Sequence, residues 1–332
     1  MPDRAAARLN ELLAPTRRLA LVGLAKNTGK TETLAAILTE HARAGVRVGV
    51  TSIGRDGERY DVIDERISKP AVRLRAGDLV ASTGALLRAS GVQHERLART
   101  GVRTPLGEVV IARLAQDGAL EVAGPNAAAD VRAVGDAMLE LGAQQVLVDG
   151  AVDRRAASSP AVADGLVMAT GAVLDRDLEQ VVRKTADAVE LVNLPPADER
   201  ADGVAIEREI VLSAEPPQIA ALLARHPRAD ALRVEGALGE RFLEGLLAAR
   251  SGRPARELRV VVEDPTRVFL SAHPPGWYGR QGIAIEVRRP IALRAITVNP
   301  VAPQSHSFDS AGLRDAIAQA VGEVPVFDVR EG

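Results

Sequence analysis

The chain has no cysteine, which excludes disulfides, thiolate metal sites and thiol nucleophiles together. Aromatic residues make up only 2% of its 332 residues, so the interior must be built from Leu, Val, Ile and Ala. The 46% hydrophobic content supplies these in quantity for one large or two ordinary domains. No apolar run reaches the roughly 18 residues of a membrane span. The opening stretch MPDRAAARLNELLAPTRR reads as a short amphipathic helix and lacks the apolar centre of a signal peptide. A net charge of −2 leaves no basic field of the kind that attracts nucleic acid. The five histidines, His41, His94, His226, His273 and His306, are scattered with no ligand spacing. These scarcities describe a soluble, cytoplasmic protein with neither a membrane nor a nucleic acid as partner.

Lysine is the remaining scarcity. Of 42 basic residues 38 are arginine, and the four lysines are Lys26, Lys30, Lys69 and Lys184. Two of the four stand in one glycine loop, GLAKNTGKT, residues 23–31. The loop follows the continuous apolar run RLALVG (18–23), which reads as a buried parallel strand. It opens KTETLAAILTEHARAG (30–45), whose apolar spacing and terminal glycine read as a helix. VRVGVTSI (46–53) reads as the next strand, completing a strand–loop–helix–strand unit.

A loop that holds phosphate needs inward backbone N–H groups, a helix N-terminus, an ammonium and a hydroxyl. Gly23 ends the strand, Gly29 admits close approach of backbone to phosphate, and Asn27, Thr28 and Glu32 complete the cradle. Lys30 would bridge β- and γ-phosphates and Thr31 would ligate Mg²⁺. The spacing departs from the usual form: five residues separate the glycines where four are common, and Leu24 stands where the first glycine normally falls. Arginine's planar fork cannot replace a compact ammonium beside a phosphate, which gives the surviving Lys30 a reason. Lys26 either lines the same cradle, with a catalytic part, or faces solvent. Lys69, in SKP, is a further candidate, and Lys184 reads as a solvated helix residue.

Asp149 ends the apolar run QQVLVD, where an acid would hold magnesium or orient the attacking water. Asp56, just past the second strand, is the other candidate for these roles. Asp61 and Asp64 are weaker ones in the same acidic loop, and Asp153, Arg154 and Arg155 form a candidate switch segment. Asn193 and Asn299, each beside a proline, fit a turn or a base-reading position, with turn preferred. The alternation of strands and helices over roughly 15–195 predicts an α/β, P-loop NTPase-like fold, a mainly parallel sheet flanked by helices. Residues 1–195 form the expected nucleotide-binding domain and 196–332 an α/β C-terminal region, joined at the proline-rich stretch LPPADERADG (194–203). VLVDGAVDRR (146–155) and LRVEGALGERF (232–242) echo each other as strand, acid, turn.

The loop GLAKNTGKT, the stretch TSIGRDGE and the pair Lys69-Pro70 resemble the P-loop group containing dethiobiotin synthetase and the MinD-like and MobB-like ATPases. Lys26 lies four residues before Lys30, whereas the MinD-like signature lysine lies five before, so that role is not carried over. Together with VDGAVDRRAASSP, MATGAVL and AITVNP…VPVFDV, these segments resemble the reactivase subunit of lysine 5,6-aminomutase. That resemblance implies ATP and Mg²⁺ as cofactors, an adenosylcobalamin-dependent aminomutase acting on lysine or ornithine and a MutS-like ATPase as partners, and ATP hydrolysis coupled to reactivation. A homodimer is left open. The rival expectation is an ATP-dependent small-molecule ligase or kinase of the dethiobiotin synthetase type.

Overall fold

A computed structural model describes residues 4–53, 71–150, 159–198, 203–213, 215–250, 257–303 and 305–330. The chain begins with α1 (Arg4–Leu13), β1 (Arg18–Gly23), α2 (Lys30–Arg43) and β2 (Val48–Ser52). It continues through β3 (Val72–Leu74), β4 (Leu79–Thr83), α3 (Gly84–Ala89), β5 (His94–Thr104), β6 (Gly107–Leu114) and β7 (Gly118–Leu120). Then come α4 (Ala128–Glu140), β8 (Gln145–Asp149), β9 (Gly165–Gly171) and α5 (Leu178–Val192). A middle section contributes β10 (Val204–Ile206), α6 (Arg208–Ser213), α7 (Pro216–Arg225), β11 (Ala231–Val234), β12 (Leu238–Gly239), α8 (Glu240–Arg250), β13 (Leu258–Val262), β14 (Val268–Phe269), α9 (Pro275–Arg280) and β15 (Ile283–Val287). The chain closes with β16 (Ala292–Asn299), α10 (Ser310–Val321) and β17 (Val326–Phe327).

Two compact units result, and they are not the two halves expected from the sequence. Residues 1–185 and 293–332 make the first, and residues 186–292 the second. The expected division at 195/196 therefore misplaces the last forty residues. The apolar run of β16 (AITVN) is buried from Ala295 onward and sits beside β9, so the end of the chain returns to complete the first sheet.

That sheet has nine strands in the order β17-β16-β9-β1-β8-β2-β4-β6-β5. Pairings β1/β8, β1/β9, β2/β8, β2/β4 and β16/β17 are parallel. The β4/β6 and β5/β6 pairs are antiparallel and build one edge, which the sequence reading passed over. Strands β2, β4 and β9 are short and buried at every residue, as strands covered by helices on both faces are, and their only polar residues are Ser and Thr. Amphipathic α1 buries Leu9 and Leu13 in the same cluster as Leu34 and Ile37 of α2. Each such leucine removed from water contributes about 1.5–3 kcal/mol. Buried Gln145 donates to the carbonyls of Leu13 and Thr16, capping the exit of α1, and accepts contact from His41 at 2.8 Å. His41 is thus a structural residue.

The second unit has its own parallel sheet, β10-β11-β13-β15. Alternate residues Leu232, Val234, Val260, Val262, Ile285 and Val287 join Phe242, Leu246 and Tyr278 in a separate core. Glu240 fixes the connection into α9. Its carboxylate accepts from the backbone N–H groups of Ser271, Ala272 and His273, and from the Ser271 and Tyr278 hydroxyls. Desolvation works against that charge, but the Ser271 hydroxyl and the three N–H donors outweigh it and hold the carboxyl at about 2.

Candidate functional site: the loop between β1 and α2

Three strand ends meet at the loop. β1 lies between β8 and β9, with Leu21 opposite Asp149 and Gly23 opposite Ala169. On its other side Asp149 is opposite Ser52 of β2. The strand that carries the acid is therefore the hydrogen-bonded neighbour of the strand that carries the loop. The carbonyl of Ala169 receives Leu24 N–H at 3.0 Å, and that of Leu21 receives Gly150 N–H at 2.9 Å. Both ends of the site are tied to one rigid sheet edge, the carboxyl edge where open α/β sheets bind ligands.

The loop backbone turns twice through the left-handed region, at Asn27 (φ 64°) and Gly29 (φ 87°). Asn27 is the only non-glycine residue with positive φ among those described; asparagine tolerates this conformation better than other side chains. Gly23 is required by a close approach: a Cβ there would lie 2.5 Å from Thr28 Oγ1. Thr28 is buried and donates to the Ala25 carbonyl at 3.0 Å, closing the loop on itself. Gly29 precedes α2, and no side chain caps that helix. Its first N–H groups are therefore left for water or a ligand, at the positive end of the helix dipole.

Lys30, the first residue of α2, turns its ammonium onto Asp149 Oδ1. Their side chains are 16% and 31% exposed, so the pair is sheltered but reachable. Thr31 and Glu32 lie exposed in the first turn of α2, and Lys26 is exposed at the crown of the loop. The structure thus brings together Gly23, Asn27, Thr28, Gly29, Lys30, Thr31, Glu32, Lys26 and Asp149. Asp56, Lys69, Asp61, Asp64 and Asp153–Arg155 lie outside the described residues. Lys184 pairs with Asp175 at 2.8 Å on a helix surface.

Two further residues complete the surroundings of the loop, one not singled out from the sequence and one expected there in another role. Ser52 ends β2 beside Asp149 and accepts from Gly124 N–H at 2.9 Å, so the segment 122–124 crosses the strand end there. A Cβ at Gly124 would overlap the Ser52 carbonyl, and the dipeptide Gly124-Pro125 was the signal that a tight crossing lay there. The second is Asn299, weighed as a turn or base-reading residue, whose Nδ2 donates to the Asn27 carbonyl at 3.0 Å. Thr297, two residues earlier, shares a buried 2.8 Å hydrogen bond with Thr33 of α2. Among the described residues no group of three or more His, Asp or Glu is disposed to hold a metal ion, and no helix is long and apolar enough to cross a membrane.

Comparison with protein-family models, with curated proteins and with solved structures finds no match to this chain. The functional reading rests on the loop.

Proposed function

We propose that this chain is a nucleotide-binding protein of the P-loop NTPase kind, with Mg²⁺ and ATP as its ligands. The observation that carries the reading is the Lys30–Asp149 pair, set where an uncapped helix N-terminus follows a doubly left-handed loop. An ammonium and a carboxylate meet at the carboxyl ends of the adjacent strands β1 and β8, beside an uncapped helix N-terminus whose first turn carries the Thr31 hydroxyl. That donor set fits a magnesium polyphosphate: cations and N–H groups for phosphate oxygens, hydroxyl and carboxylate for the ion.

Lys30 would leave Asp149 and engage phosphate, and the loop N–H groups would hold the remaining oxygens. Thr31, in the first turn of α2, would offer its hydroxyl to the ion. Asp149, relieved of the ammonium, would hold the magnesium or orient water. The bound nucleotide would supply a β–γ anhydride whose cleavage releases free energy for a conformational step. The wider role we propose, from the resemblance of the loop and later segments, is ATP-driven reactivation of an adenosylcobalamin-dependent lysine or ornithine aminomutase alongside a MutS-like ATPase.

Titration of Mg·ATP into the parent and Lys30→Ala tests the nucleotide reading. Loss of a sheltered charge-assisted contact should weaken binding by about 2–3 kcal/mol, thirtyfold or more; unchanged affinity would remove the reading. Turnover assayed alone, then with inactivated aminomutase, tests the wider role. Turnover that rises only with a small carboxylic substrate would favour a ligase instead.

A further inference from the structure

The loop is tied at its crown to a residue 272 positions away in sequence. Asn299, the last residue of β16, is 8% exposed and uses both ends of its amide. Its Nδ2 donates to the Asn27 carbonyl at 3.0 Å, while its Oδ1 accepts from Val301 N–H at 3.1 Å and from the Arg330 guanidinium. Arg330 is braced in turn: its backbone N–H donates to Asp328 Oδ1 at 2.8 Å, and Asp328 Oδ2 accepts from the Ser310 hydroxyl at the start of α10. Two glycines make the space. A Cβ at Gly29 would come within 3.0 Å of the Asn299 Cβ, and one at Gly171 would overlap its carbonyl.

We infer that Asn299, held by Arg330, is a positioning residue that sets the crown of the loop for a polyphosphate; the inference rests on the nucleotide reading above. The peptide joining Asn27 to Thr28 is trans. In a trans peptide the carbonyl and the following N–H point in opposite directions. With the Asn27 carbonyl committed to Asn299, the Thr28 N–H faces away from β16. The same bond holds Asn27 in its left-handed conformation and keeps a carbonyl dipole from turning toward an anion. An amide 8% exposed, with Nδ2 set on the Asn27 carbonyl and its acceptor oxygen taken by Val301 and Arg330, is a strap for the loop, which distinguishes it from a group that reads a base.

The distinction decides the experiment. The full chain, Asn299→Asp, Asn299→Ala, Arg330→Ala and the Asn299→Ala/Arg330→Ala double variant are titrated with two probes, magnesium tripolyphosphate and the magnesium complex of β,γ-imido ATP. Asn299→Ala removes the amide without adding charge and is the primary variant; Asn299→Asp is isosteric but replaces the donor with a charged oxygen, so its loss should be at least as large; Arg330 is exposed, and its variant is expected to keep the parent's unfolding midpoint. A strap predicts that Asn299→Ala loses about tenfold, and Asn299→Asp at least as much, for both probes alike, since one buried hydrogen-bonded contact is at stake. Arg330→Ala should lose about threefold in the parent background and nothing more in Asn299→Ala, because it acts only through Asn299. Loss confined to the nucleotide, with tripolyphosphate spared, would make Asn299 a base contact and overturn the inference. Unchanged affinities, or additive losses at Arg330, would overturn it as well. A parent that binds neither probe would instead bring down the nucleotide reading, and the strap with it.

Discussion

Asp149→Asn offers the sharpest test of how the site works, because the sign of its effect should depend on magnesium. In the free protein the carboxylate holds the Lys30 ammonium. Nucleotide must take that ammonium away and then sit beside a negative charge. At 16% and 31% side-chain exposure the pair itself is worth about 0.5–1 kcal/mol. Repulsion between the carboxylate and a phosphate charge about 5 Å away adds about 0.8 kcal/mol in water and about 3 kcal/mol at an effective dielectric of about 20. The two together oppose metal-free binding by about 1.5–4 kcal/mol, so removing the charge while keeping the side chain's shape should tighten ATP by about tenfold or more in EDTA. With Mg²⁺ the advantage should vanish, since the ion loses its carboxylate. Affinity should then stay within about tenfold of the parent and turnover fall by about a hundredfold or more. Calorimetric titrations of parent and variant, with EDTA and with excess Mg²⁺, read both arms. Metal-free affinity that is unchanged or weaker in the variant would refute the idea that Asp149 competes with phosphate for Lys30. Full turnover with magnesium would reassign Asp149 to structure.

Lys26 sits exposed at the loop crown; Lys26→Arg keeps the charge and alters only its geometry, so a catalytic role predicts kcat lower by about tenfold with nucleotide affinity within about threefold. Parent-like turnover would make Lys26 a surface residue. Gly23→Ala should lower stability by about 1–3 kcal/mol and weaken nucleotide binding, because its Cβ meets Thr28 Oγ1 at 2.5 Å; chemical denaturation should show partial recovery in Gly23→Ala/Thr28→Ala, and no recovery would place the strain elsewhere. Glu240 ionises at about 2 when folded against 4.5 when free, so its contribution is complete above pH 4.5 and disappears as pH falls toward 2. The full shift would amount to about 3 kcal/mol, and exposure to water cuts it to about 1 kcal/mol. The stability gap between parent and Glu240→Gln should therefore narrow by about that amount from pH 5 to pH 2, and a constant gap would refute the assignment.

The local chemistry of the loop was written in adjacent residues. An apolar run, a glycine, and Gly-Lys-Thr at a helix start specify strand, turn and helix through short-range sterics and capping, and the structure has β1, the left-handed Gly29 and α2 in those places. Asp149 was legible for the same reason, as the first acid after a buried strand. Which strands adjoin was not legible, since pairing is settled by burial of whole faces rather than by any one segment's pattern. Only the tertiary structure placed β8 directly beside β1, so that Lys30 meets Asp149 across 119 residues of chain. The antiparallel edge β5–β6 was missed because β5 is exposed at alternate or adjacent positions and carries four polar or charged residues in its first six. The return of β16 and β17 to the first sheet was missed because an apolar strand carries no label for the sheet it will join. The role of Asn299 was hidden for a related reason. Its neighbours in sequence, Val298 and Pro300, make it look like a turn, whereas its neighbours in space, Asn27, Gly29, Gly171 and Arg330, are brought to it by a sheet edge assembled from both ends of the chain.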